Sequence, residues 1–170
     1  MNQFQISPEY APYYRKYIDL VTDISLIEAL SNGEVETLAF FKAIPKEKQE
    51  FRYAEGKWSP KQVLLHLIDT ERVFAYPALQ FARADDVEIK GYDQNIFADN
   101  SNADERSWND LLEEYQSVRA ASLNLFKSFQ EAILKRYGKV DGDFMSVRAA
   151  GTIICGHEIH HRNIVRERYL

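Results

Sequence analysis

Cysteine is nearly missing from this sequence: Cys155 is the only one in 170 residues. No intramolecular disulfide can form, and a reducing, cytoplasmic setting is the expectation. Glycine and proline are scarce too, at seven and five. Together with long stretches of 3.6-residue periodicity, this points to an all-helical fold. No run of 18 apolar residues occurs, so no membrane span is expected. The first five residues, Met1 to Gln5, hold no charged segment leading into an apolar one, and no signal peptide is read there. Positive charge is in deficit, with 21 Lys and Arg against 26 Asp and Glu and a net charge of −5. Nucleic acid and anionic membrane surfaces are therefore poor partners, because no basic patch is available to neutralise phosphates. A glycine-rich phosphate loop, a CxxC pair and a serine nucleophile elbow are also absent from the sequence.

What remains is an ordinary globular composition, 45% apolar and 28% charged, expected to form one domain over residues 1–170. A chain of this size buries roughly 70% of its unfolded surface and needs no covalent staple. Residues 1–22, with Tyr10, Tyr13, Tyr14 and Tyr17, read as an arm or short helix laid on the body. A first helix is expected from about Ser25 to Ala43, weakened at Asn32-Gly33 and ended by Pro45. Ser59, Pro60 and Gln62 spell a capping box that opens a second helix running to about Ala84, with a kink at Pro77. Residues 85–104 lack periodicity and are too long for a simple turn between helices. They can cross the bundle and leave the helices they join parallel, or lie over one end as a lid. A third helix is expected from about Asp104 to Tyr137, stopped by Gly138, and a fourth from about Ser146 to Tyr169 after a loop containing Gly142.

The four histidines carry the chemistry. On the last helix Val147, Ala150, Ile154, His157, His161 and Ile164 form one stripe with spacings of three and four. His157 and His161 thus continue an inward face and project side by side, as a chelating pair does. His66 occupies the same kind of line on the second helix, between Val63 and Val73. A single histidine on an apolar face is ordinarily satisfied by a side chain or water. An i, i+4 pair is harder to satisfy, since each unpaired buried polar group costs roughly 1–3 kcal/mol. A shared divalent ion would remove that cost. His160 lies about 60° off the stripe at 3.6 residues per turn and reads as a flanking residue, although it could replace His161 in an i, i+3 pair.

His157-Glu158-Ile159-His160-His161 also fits H-E-x-x-H, in which the glutamate is the general base of a zinc peptidase. The short remaining chain leaves no room for a third ligand downstream, so that hydrolase reading ranks below the bundle. Glu158 stays a weak catalytic candidate, against the plainer reading of a solvated or supporting carboxylate. Cys155 points about 160° away from His157 on the helix wheel and reads as a small packing residue.

Lys57-Trp58-Ser59, His66, Asp69, Glu71-Arg72, Ala82-Arg83, Gly91-Tyr92-Asp93 and the run from Gly156 to His161 together resemble the DinB-like (DinB/YfiT) superfamily. The resemblance extends from about residue 17 to the C-terminus. It implies a four-helix bundle with an unusual long crossover between the second and third helices, often forming a homodimer. It also implies one divalent ion, nickel or zinc, on His66, His157 and His161, with an open position for water or substrate. Relatives include thiol S-transferases and an isomerase that use low-molecular-weight thiols such as bacillithiol, mycothiol or glutathione. A metal-dependent S-transferase or hydrolase acting on a small molecule is therefore the leading expectation, ahead of a non-catalytic metal-binding stress-response module. Asp93, Asn95 and Arg119 are candidates for the substrate pocket, because the crossover and the edge of the third helix can reach the metal. Pro77 departs from the resemblance, standing where an arginine or another good helix former is expected.

Overall fold

Ser59 starts the longest helix, α3 (Pro60–Arg83), and both halves of its capping box are made. The Gln62 amide donates to Ser59 Oγ at 3.2 Å, and the Ser59 amide donates to Gln62 Oε1 at 3.0 Å. In the structure, a computed structural model that describes residues 9–170, serines also cap the other three long helices. These are α2 (Leu26–Lys42), α5 (Trp108–Lys127) and α7 (Val147–Arg168), capped by Ser25, Ser107 and Ser146. The shorter helices are α1 (Arg15–Ile18), α4 (Gln94–Asp99) and α6 (Glu131–Leu134). The expected N-terminal arm is a 3₁₀ turn at Pro12–Tyr14 followed by α1; its first eight residues lie outside the described ones.

The long helices form a four-helix bundle, as the sequence pattern predicts. Helix α3 lies beside α5 and α7, and α2 lies beside the same two. Successive helices α2 and α3 therefore occupy opposite corners. Arg72 of α3 pairs with Glu114 of α5 at 2.6 Å, and Arg83 stacks over Phe129 just past the end of α5. These two contacts make α3 and α5 parallel. A parallel pair cannot be joined by a tight turn, so residues 84–107 make the crossover. Helices α2 and α7 are parallel too: Leu26 crowds Gly151 near their starts, and Glu36 meets Arg162 further along at 2.9 Å.

The expected third helix is broken before its end, with only the short α6 helical in its remainder beyond Lys127. Helix α5 ends at Lys127, Phe129 turns into the core against Phe126, and the chain goes on to a small sheet. Strands β1 (Glu88–Ile89), β2 (Tyr137–Val140) and β3 (Asp143–Ser146) lie in that order, β1 parallel to β2 and β2 antiparallel to β3. Asp141 and Gly142, both at positive φ, form the two-residue turn of the β2–β3 hairpin, the type that suits the natural strand twist. Gly138 is a strand residue rather than a helix stop. A Cβ there would lie 2.2 Å from the Phe81 ring, so glycine lets β2 rest on the end of α3. Pro77 does not interrupt α3, which is helical through it.

The bundle's interior is layered. One apolar cluster includes Leu30, Phe74, Phe126 and Ile153; the other includes Phe41, Leu64, Leu111 and Val165. Between them all four helices contribute buried polar residues: Thr37, His66, Thr70, Glu71, Arg119, His157 and Glu158. Placing that many polar groups mid-bundle costs stability unless each is paired. Among the described residues, no helix is long and apolar enough to cross a membrane.

Candidate metal centre

Helix α3 brings His66, and α7 brings His157 and His161, to one point in the polar layer. Their rings stand 4.5–4.9 Å apart, centre to centre. One nitrogen from each lies within 4.8 Å of the others, and Nε2 of His66 is 3.0 Å from Nε2 of His157. His66 and His157 are buried, and His161 is half-buried. His160, half-buried as well, stands outside this group, with its ring edge-on to Tyr17 at 5.3 Å.

Burial disfavours protonation of all three rings. It pulls His66 down to about 4, and it pulls His157 and His161 well below the ordinary imidazole range, with neighbouring imidazoles adding to the effect. At neutral pH the rings are neutral and offer lone pairs, the form a metal requires. Nδ1 of His161 is buried with no hydrogen-bond partner. Three neutral imidazoles, one with an orphaned buried nitrogen, suit a divalent ion that accepts nitrogen ligands, such as zinc or nickel.

The same burial predicts a pH dependence for metal-free protein. Between pH 6.5 and about 4 the His66 ring holds a proton in the unfolded chain but not in the folded one. Stability should therefore fall as pH drops through that window, by roughly 3 kcal/mol from His66 alone. Urea unfolding at pH 7, 5.5 and 4.5 in the presence of a chelator checks this, and His66→Phe should reduce the slope, leaving the part that His157 and His161 contribute.

Around the trio, Thr70 sits one turn from His66, with its Oγ1 3.3 Å from Nδ1 and 2.8 Å from the Tyr92 hydroxyl. Trp58 covers the other side of His66, and Tyr17 of α1 packs edge-on to His157 at 5.2 Å. Gly156 makes the Tyr17 contact possible, because a Cβ there would lie 2.0 Å from the Tyr17 carbonyl oxygen. Gly156→Ala should push α1 off the bundle, an overpacking cost of about 1–3 kcal/mol. Limited proteolysis should then cut near residues 12–18 faster than in the wild type.

A cavity of about 690 Å³ opens beside the trio. His157, Thr70, Tyr92, Tyr17, Phe74 and Pro77 are among its lining residues. Of the pocket residues expected from sequence, none faces it. Asp93 caps α4, accepting from the Asn95 and Ile96 amides at 2.8 and 3.3 Å, and Asn95 is exposed on that helix. Arg119 is 1% exposed and lies behind the trio. Its Nε and Nη2 hold Glu71 at 2.9 and 2.8 Å, and Nη2 and Nη1 hold Glu158 at 2.8 and 3.2 Å. The Tyr115 hydroxyl donates to Glu158 at 2.8 Å. With both its oxygens engaged in this network, Glu158 is not poised as the general base of a peptidase. Cys155 is buried and its thiol pushed up by desolvation, which leaves it unreactive.

Sequence reasoning missed Thr70, Tyr92 and Tyr17 as neighbours of the histidines. Thr70 carried a signal, being four residues after His66 on the same apolar line. Tyr92 carried a partial one, adjoining Asp93 on the crossover expected to reach the metal, and Tyr17 carried none, because only the fold brings the arm to the trio.

The sequence matches the DinB superfamily over residues 29–165. No curated protein sequence matches it. Among solved structures, YfiT from Bacillus subtilis, described as a probable metal-dependent hydrolase with an unusual four-helix bundle topology, is similar with a TM-score of 0.75. That match has 16% identity and covers 85% of this chain and 87% of YfiT. The DinB-like protein YjoA from Bacillus subtilis aligns with a TM-score of 0.58 at 18% identity, over 84% of this chain and 90% of that one. A mycothiol-dependent maleylpyruvate isomerase aligns with a TM-score of 0.63 at 12% identity, over 82% of this chain and 60% of the isomerase.

Proposed function

Since the chain belongs to the DinB superfamily, we propose that it is a metal-dependent enzyme acting on a small molecule, with His66, His157 and His161 holding one zinc or nickel ion. The observation that carries this reading is the convergence of three neutral imidazoles on one point beside a cavity of about 690 Å³. A bound divalent ion would supply a nucleophile at neutral pH by favouring the deprotonated form of a thiol or water at its open position.

The rest is the work of the chain itself. Burial keeps the ligand rings neutral. Thr70 fixes the orientation of His66, as outer partners of metal-binding histidines commonly do. Tyr17, Phe74, Pro77 and Ile153 give the cavity a mostly apolar wall, which disfavours water at the reacting atoms. The descriptions of YfiT and of the mycothiol-dependent isomerase support a hydrolase or a thiol-dependent transferase. The thiol reading is favoured because a thiolate held by the ion needs no carboxylate base, and of the two carboxylates lining the cavity, Asp141 and Asp143, Asp141 is already engaged by the Gly91 amide.

The test is turnover of a panel of small electrophiles with bacillithiol, mycothiol and glutathione, alongside a panel of esters, on protein of measured metal content. Thiol-dependent turnover that disappears in His66→Ala is the expected result. Ester hydrolysis without a thiol requirement would shift the assignment to hydrolase. Full metal occupancy with no turnover in either panel would favour a non-catalytic metal-binding module.

A further inference from the structure

The hydrogen-bond chain from His66 through Thr70 to Tyr92 has a polarity set by the ring at its head. On His66 the Nε2 atom faces His157, and the Nδ1 atom faces Thr70. A ring that offers Nε2 as a lone pair carries its proton on Nδ1. Nδ1–H then donates to Thr70 Oγ1. Among the described residues the Thr70 proton then has one acceptor within reach, the Tyr92 oxygen 2.8 Å away, and is donated to it. The Tyr92 proton is left over. Among the described residues Thr70 is the one hydrogen-bond partner of that hydroxyl. Both Thr70 and Tyr92 line the cavity that includes His157 in its wall. Burial, only partly opposed by the bond from Thr70, raises the Tyr92 phenol above its ordinary range, so the proton stays on the oxygen. Tyr14, Tyr17, Val73, Phe74 and Ile153 form the apolar part of the same wall, which also carries Lys90 and Asp141 from the crossover and the hairpin.

We infer that Tyr92 is a substrate-binding hydrogen-bond donor, aimed into the cavity by Thr70 and His66, and that it selects small molecules with an apolar body and an oxygen acceptor, a carbonyl or carboxylate, next to the atom that meets the histidines. Thr70 is the positioning residue. Its hydroxyl converts the state of His66 into a fixed direction for the Tyr92 proton. An unpaired donor in a mostly apolar wall disfavours ligands that leave it unsatisfied.

The inference rests on the metal reading above, and one experiment separates the two. Protein loaded with cobalt(II), a visible stand-in for the native ion, is titrated with thiophenol and with thiosalicylate. These probes share a ring and a thiol and differ by the carboxylate acceptor. Tyr92→Phe should weaken thiosalicylate about tenfold, the size of one hydrogen bond to a charged group, and leave thiophenol and the cobalt stoichiometry unchanged. Thr70→Val should lose most of the same discrimination, and Thr70→Ser, which keeps the hydroxyl, should retain it. A Tyr92→Phe protein with full cobalt and an unaltered ratio between the two probes would overturn the donor assignment alone. Failure of the wild type to bind cobalt would overturn both the donor assignment and the metal reading.

Discussion

His157→Ala should lower the affinity for zinc or nickel by more than about a hundredfold, because loss of even an outer partner of a metal ligand costs 10–100-fold. His157 is the ring closest to both others, 3.0 Å by nitrogen from His66 and 4.5 Å by ring centre from His161. Removing it leaves two imidazoles on different helices and no chelating pair. His160→Ala is the matched control. It deletes an imidazole one turn from the site that stands outside the converging group, so metal content should stay stoichiometric. Metal analysis of untagged protein, followed by competition with a chromogenic chelator, measures both. Stoichiometric zinc or nickel in His157→Ala would sink the three-histidine site. The same outcome in His160→Ala is what the geometry requires.

The second large effect concerns stability. Arg119 is the one guanidinium between Glu71 and Glu158, and all three are at most 2% exposed. Burial works against its charge, and the two carboxylates more than offset that. Arg119→Met keeps much of the volume and leaves two buried carboxylates facing each other. Breaking a buried pair from one side costs about 3–5 kcal/mol, which corresponds to a melting temperature roughly 10 °C lower for a chain of this size. Glu71→Gln, which keeps an acceptor near Arg119, should cost less. A thermal melt of Arg119→Met within about 2 °C of the wild type would show that the network does not support the bundle. The network also explains a glycine in mid-helix. A Cβ at Gly33 would lie 1.8 Å from Glu158 Oε1 and 2.9 Å from Arg119 Nη1. The intrinsic helix weakness at that position is outweighed by the close approach it permits, so α2 is continuous where local propensity predicts a break.

The contrast between helix ends shows how far local sequence reaches. Ser59, Pro60 and Gln62 satisfy the first orphan amides of α3 within four residues, so the start of that helix is legible without any tertiary contact. The end of α5 is not. No glycine or proline marks Lys127, and the chain turns there because Phe129 is buried against Phe126 from another direction. The β2–β3 hairpin could have been read from Asp141-Gly142, but the expected long helix masked it. Strand β1 pairs with β2 across some fifty residues of sequence, which no local pattern encodes.

The sequence by itself determined the four helices and the inward direction of His66, His157 and His161, because a 3.6-residue period assigns each side chain a face. Only the tertiary structure decided what meets those faces. It put α3 against α7 so that the three rings converge, and it set Tyr92 and Tyr17 beside them from the crossover and the arm. It also drew Arg119 away from the cavity into a buried pair of carboxylates. A helical period specifies direction, while the partner in that direction depends on which corner of the bundle each helix takes, and the crossover between α3 and α5 settles that.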